Sequence, residues 1–402
     1  MKLPSPKLIL SVILLAMTTL PTEALEDGLL LDLVILPSDG ERFENAEFSC
    51  WLPDPDQPVK AVIIHQHGCT SASPDKHPPI TDDWHWRALA RKHDCALLVP
   101  MYQVAGDCSD WNDPGSGSER ALFTALEDFS KRSGRAEMKD APWVLWGHSG
   151  GSSWSAQMIV RHPQRVLAAS FRGGCHKQFG VPEFRAKFGP IARDIPLLFV
   201  WGKRESVPES KHHVSLEPMN TMFRELRERG GKVCRVIDPL SEHGCDNSRF
   251  MSINFFDAVL SGKANAQPST DATVSWQPND SFAALWREFS GYGILKPESP
   301  PLHAPLLKAK RDADGVHLEW SIDPDLEGGV RAIRFYRDGK LWKEIGIDED
   351  AFLGTGRDST PEELRPHKLL DETKEMYVYT MTFLDIGGNE SPSSNAVSVP
   401  WI

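Results

Sequence analysis

Trp143-Val-Leu-Trp-Gly-His-Ser-Gly-Gly151 joins an apolar run to a G-x-S-x-G pattern. Four apolar residues in a row, two of them aromatic, read as a strand buried on both faces. Ser153 to His162 then has helical spacing and stops at Pro163. The serine therefore sits on the turn from strand to helix, the context that makes this pattern informative. Such a turn is tight, so the neighbours of the serine must be small. A helix opening directly after it aims free N–H groups at any negative charge that develops there.

Working outward, apolar runs alternate with helical patterns over residues 45–240. Lys60-Ala-Val-Ile-Ile-His65, Cys95-Ala-Leu-Leu-Val-Pro100, Val166 to Phe171, Pro196-Leu-Leu-Phe-Val-Trp201 and Val233 to Ile237 read as strands. Glu119 to Arg132 places Leu122, Leu126 and Phe129 on one helix face, and Met219 to Arg229 is a helix closed by Gly230-Gly231. The alternation predicts an α/β fold, a mostly parallel sheet with helices on both faces, whose site lies beyond the carboxyl ends of the strands.

Over roughly residues 45–260 these features resemble the α/β-hydrolase superfamily. The resemblance implies the chain order nucleophile, acid, histidine, and Ser149 becomes the nucleophile. A hydroxyl needs a base to take its proton. His243, in Pro239-Leu-Ser-Glu-His-Gly244 after the last strand, fills the place the family gives it. His212 and His213 lie too close to the preceding strand, and His148 is the variable position of the motif. The family pattern for the acid is Gly-x-x-Asp before an apolar-Pro pair. This chain departs from it with Gly202-Lys-Arg-Glu205 before Ser206-Val-Pro208, which makes Glu205 the acid and leaves Asp238 and Glu242 as fallbacks. The oxyanion hole is expected from the backbone N–H groups of Gly150 and of Cys69, the latter in His65-Gln-His-Gly-Cys-Thr70. A competing reading takes His65-x-His67 as a metal pair, with Asp82, Asp83 and His85 as further ligands. Trp84, Trp86, Trp111 and Trp154 fall near this end of the sheet and are expected either to form a flat wall for substrate or to pack ordinarily.

Residues 1–24 read as a signal peptide. Lys2 and Lys7 precede the apolar run Leu8 to Met17, which is short for a span of roughly 20 residues, and Ala24 offers a cleavage site. The catalytic domain is then placed at 25–262, with no stable membrane span after cleavage and a secreted or periplasmic location. The chain holds seven cysteines, and export favours disulfides over zinc, with no CxxC present. Sequence does not choose the pairing; a Cys175–Cys245 bridge bracing His243 is one arrangement. A formal charge of −12 argues against a general nucleic-acid binder held by phosphate contacts.

Residues 263–302 are rich in Pro, Ser, Asn and Asp and read mostly as a linker, with Ser281 to Phe289 a short helix packed back on the first domain. Residues 303–402 alternate as short strands with turns at Asp338-Gly339 and Gly387-Gly388-Asn389. Leu318-Glu-Trp320, Phe335-Tyr-Arg-Asp-Gly339, Tyr377-Val-Tyr-Thr and Asp385-Ile-Gly-Gly-Asn-Glu-Ser391 resemble a fibronectin type III domain, which implies an all-β sandwich serving as spacer or binding module. Together the resemblances imply a secreted hydrolase of carboxylic esters, acting without cofactor or metal on an acetyl or feruloyl ester linked to polysaccharide. The alternatives are an extracellular polyester depolymerase and a non-catalytic surface-binding protein on a hydrolase scaffold.

Overall fold

The computed structural model describes residues 28–69, 80–106, 108–213, 216–244, 247–262, 274–346, 360–365 and 367–400. The signal-peptide expectation lies outside them, as does Cys245.

The first body is an eight-stranded sheet. Its strands are β1 (Leu29–Ile35), β2 (Asn45–Leu52), β3 (Ala61–Gln66), β4 (Cys95–Gln103), β5 (Trp143–His148), β6 (Val166–Arg172), β7 (Leu197–Gly202) and β8 (Val233–Asp238), in the order β1-β2-β4-β3-β5-β6-β7-β8. β1 and β2 pair antiparallel, as do β2 and β4, and every other pairing is parallel. Helices α1 (Trp84–Lys92), α2 (Ser109–Asn112), α3 (Ser118–Ser133), α4 (Gly150–Arg161), α5 (His176–Gly180), α6 (Pro182–Ala192), α7 (Leu216–Glu228), α8 (Ser248–Leu260) and α9 (Asp280–Tyr292) surround it. This mixed sheet with helices fits the α/β-hydrolase fold.

The apolar runs are continuous because each strand feeds two cores at once. Val62, Ile64, Trp143, Leu145, Leu197 and Phe199 enter one core, along with Leu122, Leu126 and Phe129 of α3. Their neighbours Ala61, Ile63, Val144, Trp146, Leu198 and Val200 enter the other. The period-two alternation is thus present, but both phases are apolar. No helix among the described residues is long and apolar enough to cross a membrane.

The second body has two antiparallel three-stranded sheets. One is β13 (Lys368–Asp371), β10 (Val316–Ser321) and β9 (Leu306–Arg311); the other is β12 (Lys340–Gly346), β11 (Ala332–Arg337) and β14 (Tyr379–Leu384). The hairpin joining β11 to β12 turns at Asp338 and Gly339, both with positive φ, as a tight primed turn requires.

Within the expected linker, the helix read over Ser281 to Phe289 is α9, and it packs back on the first body: Phe282 and Phe289 are buried in the core shared with α8. Trp276, Ile294 and Leu295 outside that helix join the same core. Residues 274–295 are therefore packed chain, held by the same apolar burial as the sheet.

The two bodies also share a polar latch. Asp83 caps α1 by accepting the N–H groups of His85 and Trp86, each at 2.9 Å, and its other oxygen accepts the N–H of Thr360. Burial raises the Asp83 carboxyl, but the Arg365 and Arg249 charges outweigh it and hold the group below the usual carboxylate range. His85 Nε2 donates to Leu326 O at 2.7 Å, and Asn254 donates to the same oxygen at 2.9 Å. Trp84 crosses the boundary completely and lies in the sandwich core with Trp320, Phe335 and Tyr379.

Asp83→Ala removes a helix cap, leaves Thr360 N–H without its acceptor and takes the balancing charge from Arg365 and Arg249. It is expected to destabilise the chain by at least about 2 kcal/mol, read as a lower urea midpoint. Truncation near Ser299 exposes Trp84 and is expected to lower the midpoint further. A truncated protein with an unchanged midpoint would mean that the two bodies stand independently.

Candidate active site

β5 ends at His148 and α4 starts at Gly150, so Ser149 alone makes the turn. Its φ of 52° and ψ of −111° are far from the regions an L-residue prefers, a strain of order 1–3 kcal/mol. The turn is held from two sides. Ser149 N–H donates to Arg172 O at 2.8 Å, and Ser152 Oγ–H donates to Gly147 O at 2.6 Å. The flanking residues must be glycine because the backbones touch. A β-carbon at Gly147 would lie 2.5 Å from the Gly151 carbonyl, and one at Gly151 would lie 2.3 Å from Gln66 O.

The acid and base loops arrive from β7 and β8. Glu205 is fully buried in a helical turn directly after β7. His243 is half-buried in the loop after β8, and its Nδ1 lies 3.6 Å from Glu205 Oε1. That is just beyond hydrogen-bond distance, a spacing common in resting sites that tighten on substrate. The loop after β6 links this pair to the serine. Gly173, with φ of 54°, faces His243 Nδ1 and Glu205 Oε1, at 3.0 and 3.1 Å from where a β-carbon would stand; Gly174 faces Ser149 O. His148 Nε2 donates to His243 O at 2.7 Å and fixes the base loop to the end of the serine strand. Adjacent glycines of one loop thus contact the Glu205–His243 pair on one side and Ser149 on the other. Asp238 is not part of this pair. Its Oδ1 accepts the N–H groups of Leu240 and Ser241, and burial raises its carboxyl.

Two neighbours complete the surroundings of this pair: Arg172, which the sequence reading does not single out, and His212, which it sets aside as too close to the preceding strand. Arg172 is fully buried and donates to Glu205 Oε1 at 2.9 Å. Burial raises the Glu205 carboxyl, but His243 and Arg172 outweigh it and keep it below the usual carboxylate range. His212 lies face to face on His243, ring centroids 3.5 Å apart and planes 4° off parallel. Burial and the proximity of His243 lower the proton affinity of His212. The only sequence signal for Arg172 is a charged residue closing an otherwise apolar strand.

Cys69 is disulfide-bonded to Cys108, 39 residues away, and this bridge lies against Gly150. Cys69 N is 3.5 Å from where a Gly150 β-carbon would stand, so the two backbone donors expected for an oxyanion are neighbours. Cys175, in contrast, is a free buried thiol, as are Cys50, Cys95 and Cys234. Cys175 is enclosed by the apolar core under α5; the bridge considered between it and Cys245 falls on a residue outside those described.

The tryptophan wall is corrected by burial. Trp84, Trp86, Trp111 and Trp154 expose none of their surface. Trp84 donates to Leu364 O inside the sandwich boundary, and Trp86 packs edge-on against His65 and Trp146. Trp111 stacks on Tyr102, and Trp154 Nε1 donates to Ser118 Oγ at 3.1 Å. All four pack rather than face a ligand. His65 stacks on Trp146 in one core and His67 lies against Trp111 in the other, while Asp83 and His85 belong to the latch. Among the described residues no group of three or more His, Cys, Asp or Glu side chains converges as a metal site.

No protein-family model matches the chain, and no curated protein matches it. Solved structures similar to it include the poly(3-hydroxybutyrate) depolymerase LpqC from Bordetella parapertussis, at 14% identity over 58% of this chain and 88% of that one, with a TM-score of 0.40. An S-formylglutathione hydrolase from Agrobacterium tumefaciens matches at 15% identity over 59% and 94%, TM-score 0.39. A ferulic acid esterase matches at 10% identity over 58% and 98%, TM-score 0.41. Likeness at this level carries nothing about substrate.

Proposed function

We propose that the chain is a serine hydrolase of carboxylic esters. The observation that carries the reading is Ser149 strained at a strand-to-helix turn, with the Gly173-Gly174 loop lying between it and the pair of His243 and buried Glu205. In this scheme Ser149 Oγ attacks the ester carbonyl while His243 takes its proton, and Glu205 stabilises the imidazolium that forms. The N–H groups of Gly150 and Cys69 receive the oxyanion. His243 returns its proton to the departing alcohol, leaving an acyl-enzyme. Water, activated by the same base, releases the acid and restores Ser149.

Secretion, the fibronectin type III-like character of residues 303–402 and the domain bounds 25–262 and 303–402 are part of the same proposal. The leader pattern and the Cys69–Cys108 bridge favour an oxidising compartment. A polymer-linked ester, acetyl or feruloyl on polysaccharide or a polyester, is the proposed substrate class. With the four tryptophans buried, it rests on the leader and the appended sandwich alone.

A fluorophosphonate is expected to label Ser149, located by peptide mass spectrometry, and Ser149→Ala is expected to lose label and at least ~10³-fold in kcat on a short chromogenic ester. An unlabelled wild type without turnover would favour the non-catalytic scaffold. Acids released from acetylated xylan, feruloylated fibre and polyhydroxyalkanoate then separate the polymer classes.

Glu205→Gln is expected to cost at least about 100-fold in kcat with KM little changed, and Asp238→Asn less than about tenfold. The reverse ranking would move the acid to Asp238. Cys108→Ser frees the loop that carries the Cys69 donor. It is expected to lower kcat about tenfold, less than deleting an oxyanion donor outright, while an unchanged kcat would show that the bridge does not fix that donor.

A further inference from the structure

Arg172 has no step in the scheme above, yet it touches the serine turn, the acid loop and the base loop. It ends β6, the strand between β5 and β7. Nη1 donates to Glu205 Oε1 at 2.9 Å. Nη2 donates to Ser241 Oγ at 3.0 Å and to Glu242 O at 2.6 Å, the two residues directly before His243. Its own carbonyl accepts the N–H of Ser149 at 2.8 Å.

We propose that Arg172 is a positioning residue that clamps the acid loop to the base loop and sets the charge balance of the Glu205–His243 pair. The inference rests on the Ser149–His243–Glu205 reading.

The choice of residue argues for this role. Taking a guanidinium out of water is costly, and a buried apolar side chain would fill the same space without that penalty. What the guanidinium adds is a fixed fork of donors. One fork here reaches two loops from different strands, and their separation is the separation of acid and base. A lysine at this place keeps the charge but offers one ammonium where two nitrogens now point at three acceptors.

Electrostatics point the same way. Glu205 and Arg172 are both fully buried, so their attraction is little screened. Glu205 Oε1 is engaged by Arg172 and lies 3.6 Å from His243 Nδ1, while Oε2 has no hydrogen-bond partner among the described residues. Burial alone raises the Glu205 carboxyl; the two cations beside it reverse the direction. Other titratable groups face the pair from each neighbouring element. They are His148 from the end of β5, His176 from α5, His212 and Glu242 from the acid and base loops, and Asp238 at the end of β8, which itself feels the Arg172 charge. Arg172 is the one among them that holds a permanent positive charge against Glu205. Removing that charge raises the proton affinity of the pair, whichever member takes the proton. The acid limb of kcat/KM then moves to higher pH.

The test compares Arg172→Gln and Arg172→Lys with the wild type, each checked for folding by near-ultraviolet circular dichroism. Fluorophosphonate labelling of Ser149 in the wild type is the control: if it fails, the triad reading fails, independently of Arg172. With the wild type labelled, Arg172→Gln is expected to shift the acid limb upward by about one pH unit. Its kcat is expected to fall at least about tenfold with KM within about threefold. Arg172→Lys is expected to keep the limb in place and lose part of kcat. A folded Arg172→Gln whose limb does not move, whatever its kcat, overturns the inference and leaves Arg172 a packing residue. Should Arg172→Gln not fold, Arg172→Lys decides, because wild-type kcat in that variant overturns the clamp.

Discussion

A serine with φ of 52° does not stay there by its own preference. The strain at Ser149 persists because the surrounding backbone leaves the turn no room to relax: Gly147 and Gly151 are in contact, Gln66 lies against Gly151, and Gly174 lies against Ser149 itself. The N–H that the strained conformation frees is taken by Arg172 O. Each of these contacts exists only if β3, β5 and β6 are adjacent, which the strand order supplies. The strain is small beside the burial of two cores, each apolar side chain contributing about 1.5–3 kcal/mol. The sheet can therefore hold one residue out of its preferred conformation and present its hydroxyl.

The legible parts of the site are those that local sequence dictates. Gly147-His-Ser-Gly-Gly151 must make a tight turn wherever it occurs between a strand and a helix, and the turn is where the pattern puts it. Glu205 and His243 follow strands that their own apolar runs mark, so the chain order brings them to one end of the sheet. The helix after Ser149 starts at Gly150 rather than at Ser153, because its first turn is built from the small residues that periodicity cannot register.

What was not legible depends on partners far along the chain. Trp84 meets Leu364, 280 residues away, and nothing near Trp84 announces that contact. Trp111 and Trp154 sit near the serine in sequence or topology, but their orientation is set by Tyr102 and Ser118. Arg172 reads locally as the polar end of a strand, and its meaning comes from Glu205 and Ser241. Around the helix read over Ser281 to Phe289, the extent of packing was legible only in part. Composition rich in Pro and Ser marks chain without regular structure, yet Trp276, Phe282 and Phe289 are spaced widely enough to anchor it.

Among the described residues, four thiols lie enclosed in the fold beside one disulfide. Burial drives each of them toward the protonated form; Cys95 and Cys234 are pushed up to about 12. In the fold they are inert as nucleophiles. Once the chain opens, they return to the ordinary thiol range and meet the Cys69–Cys108 bridge in a flexible polymer, where thiolate attack scrambles the pairing. Unfolding then becomes a one-way event under neutral to alkaline conditions. The durability of this molecule is set by how seldom it opens, a half-life rather than an equilibrium.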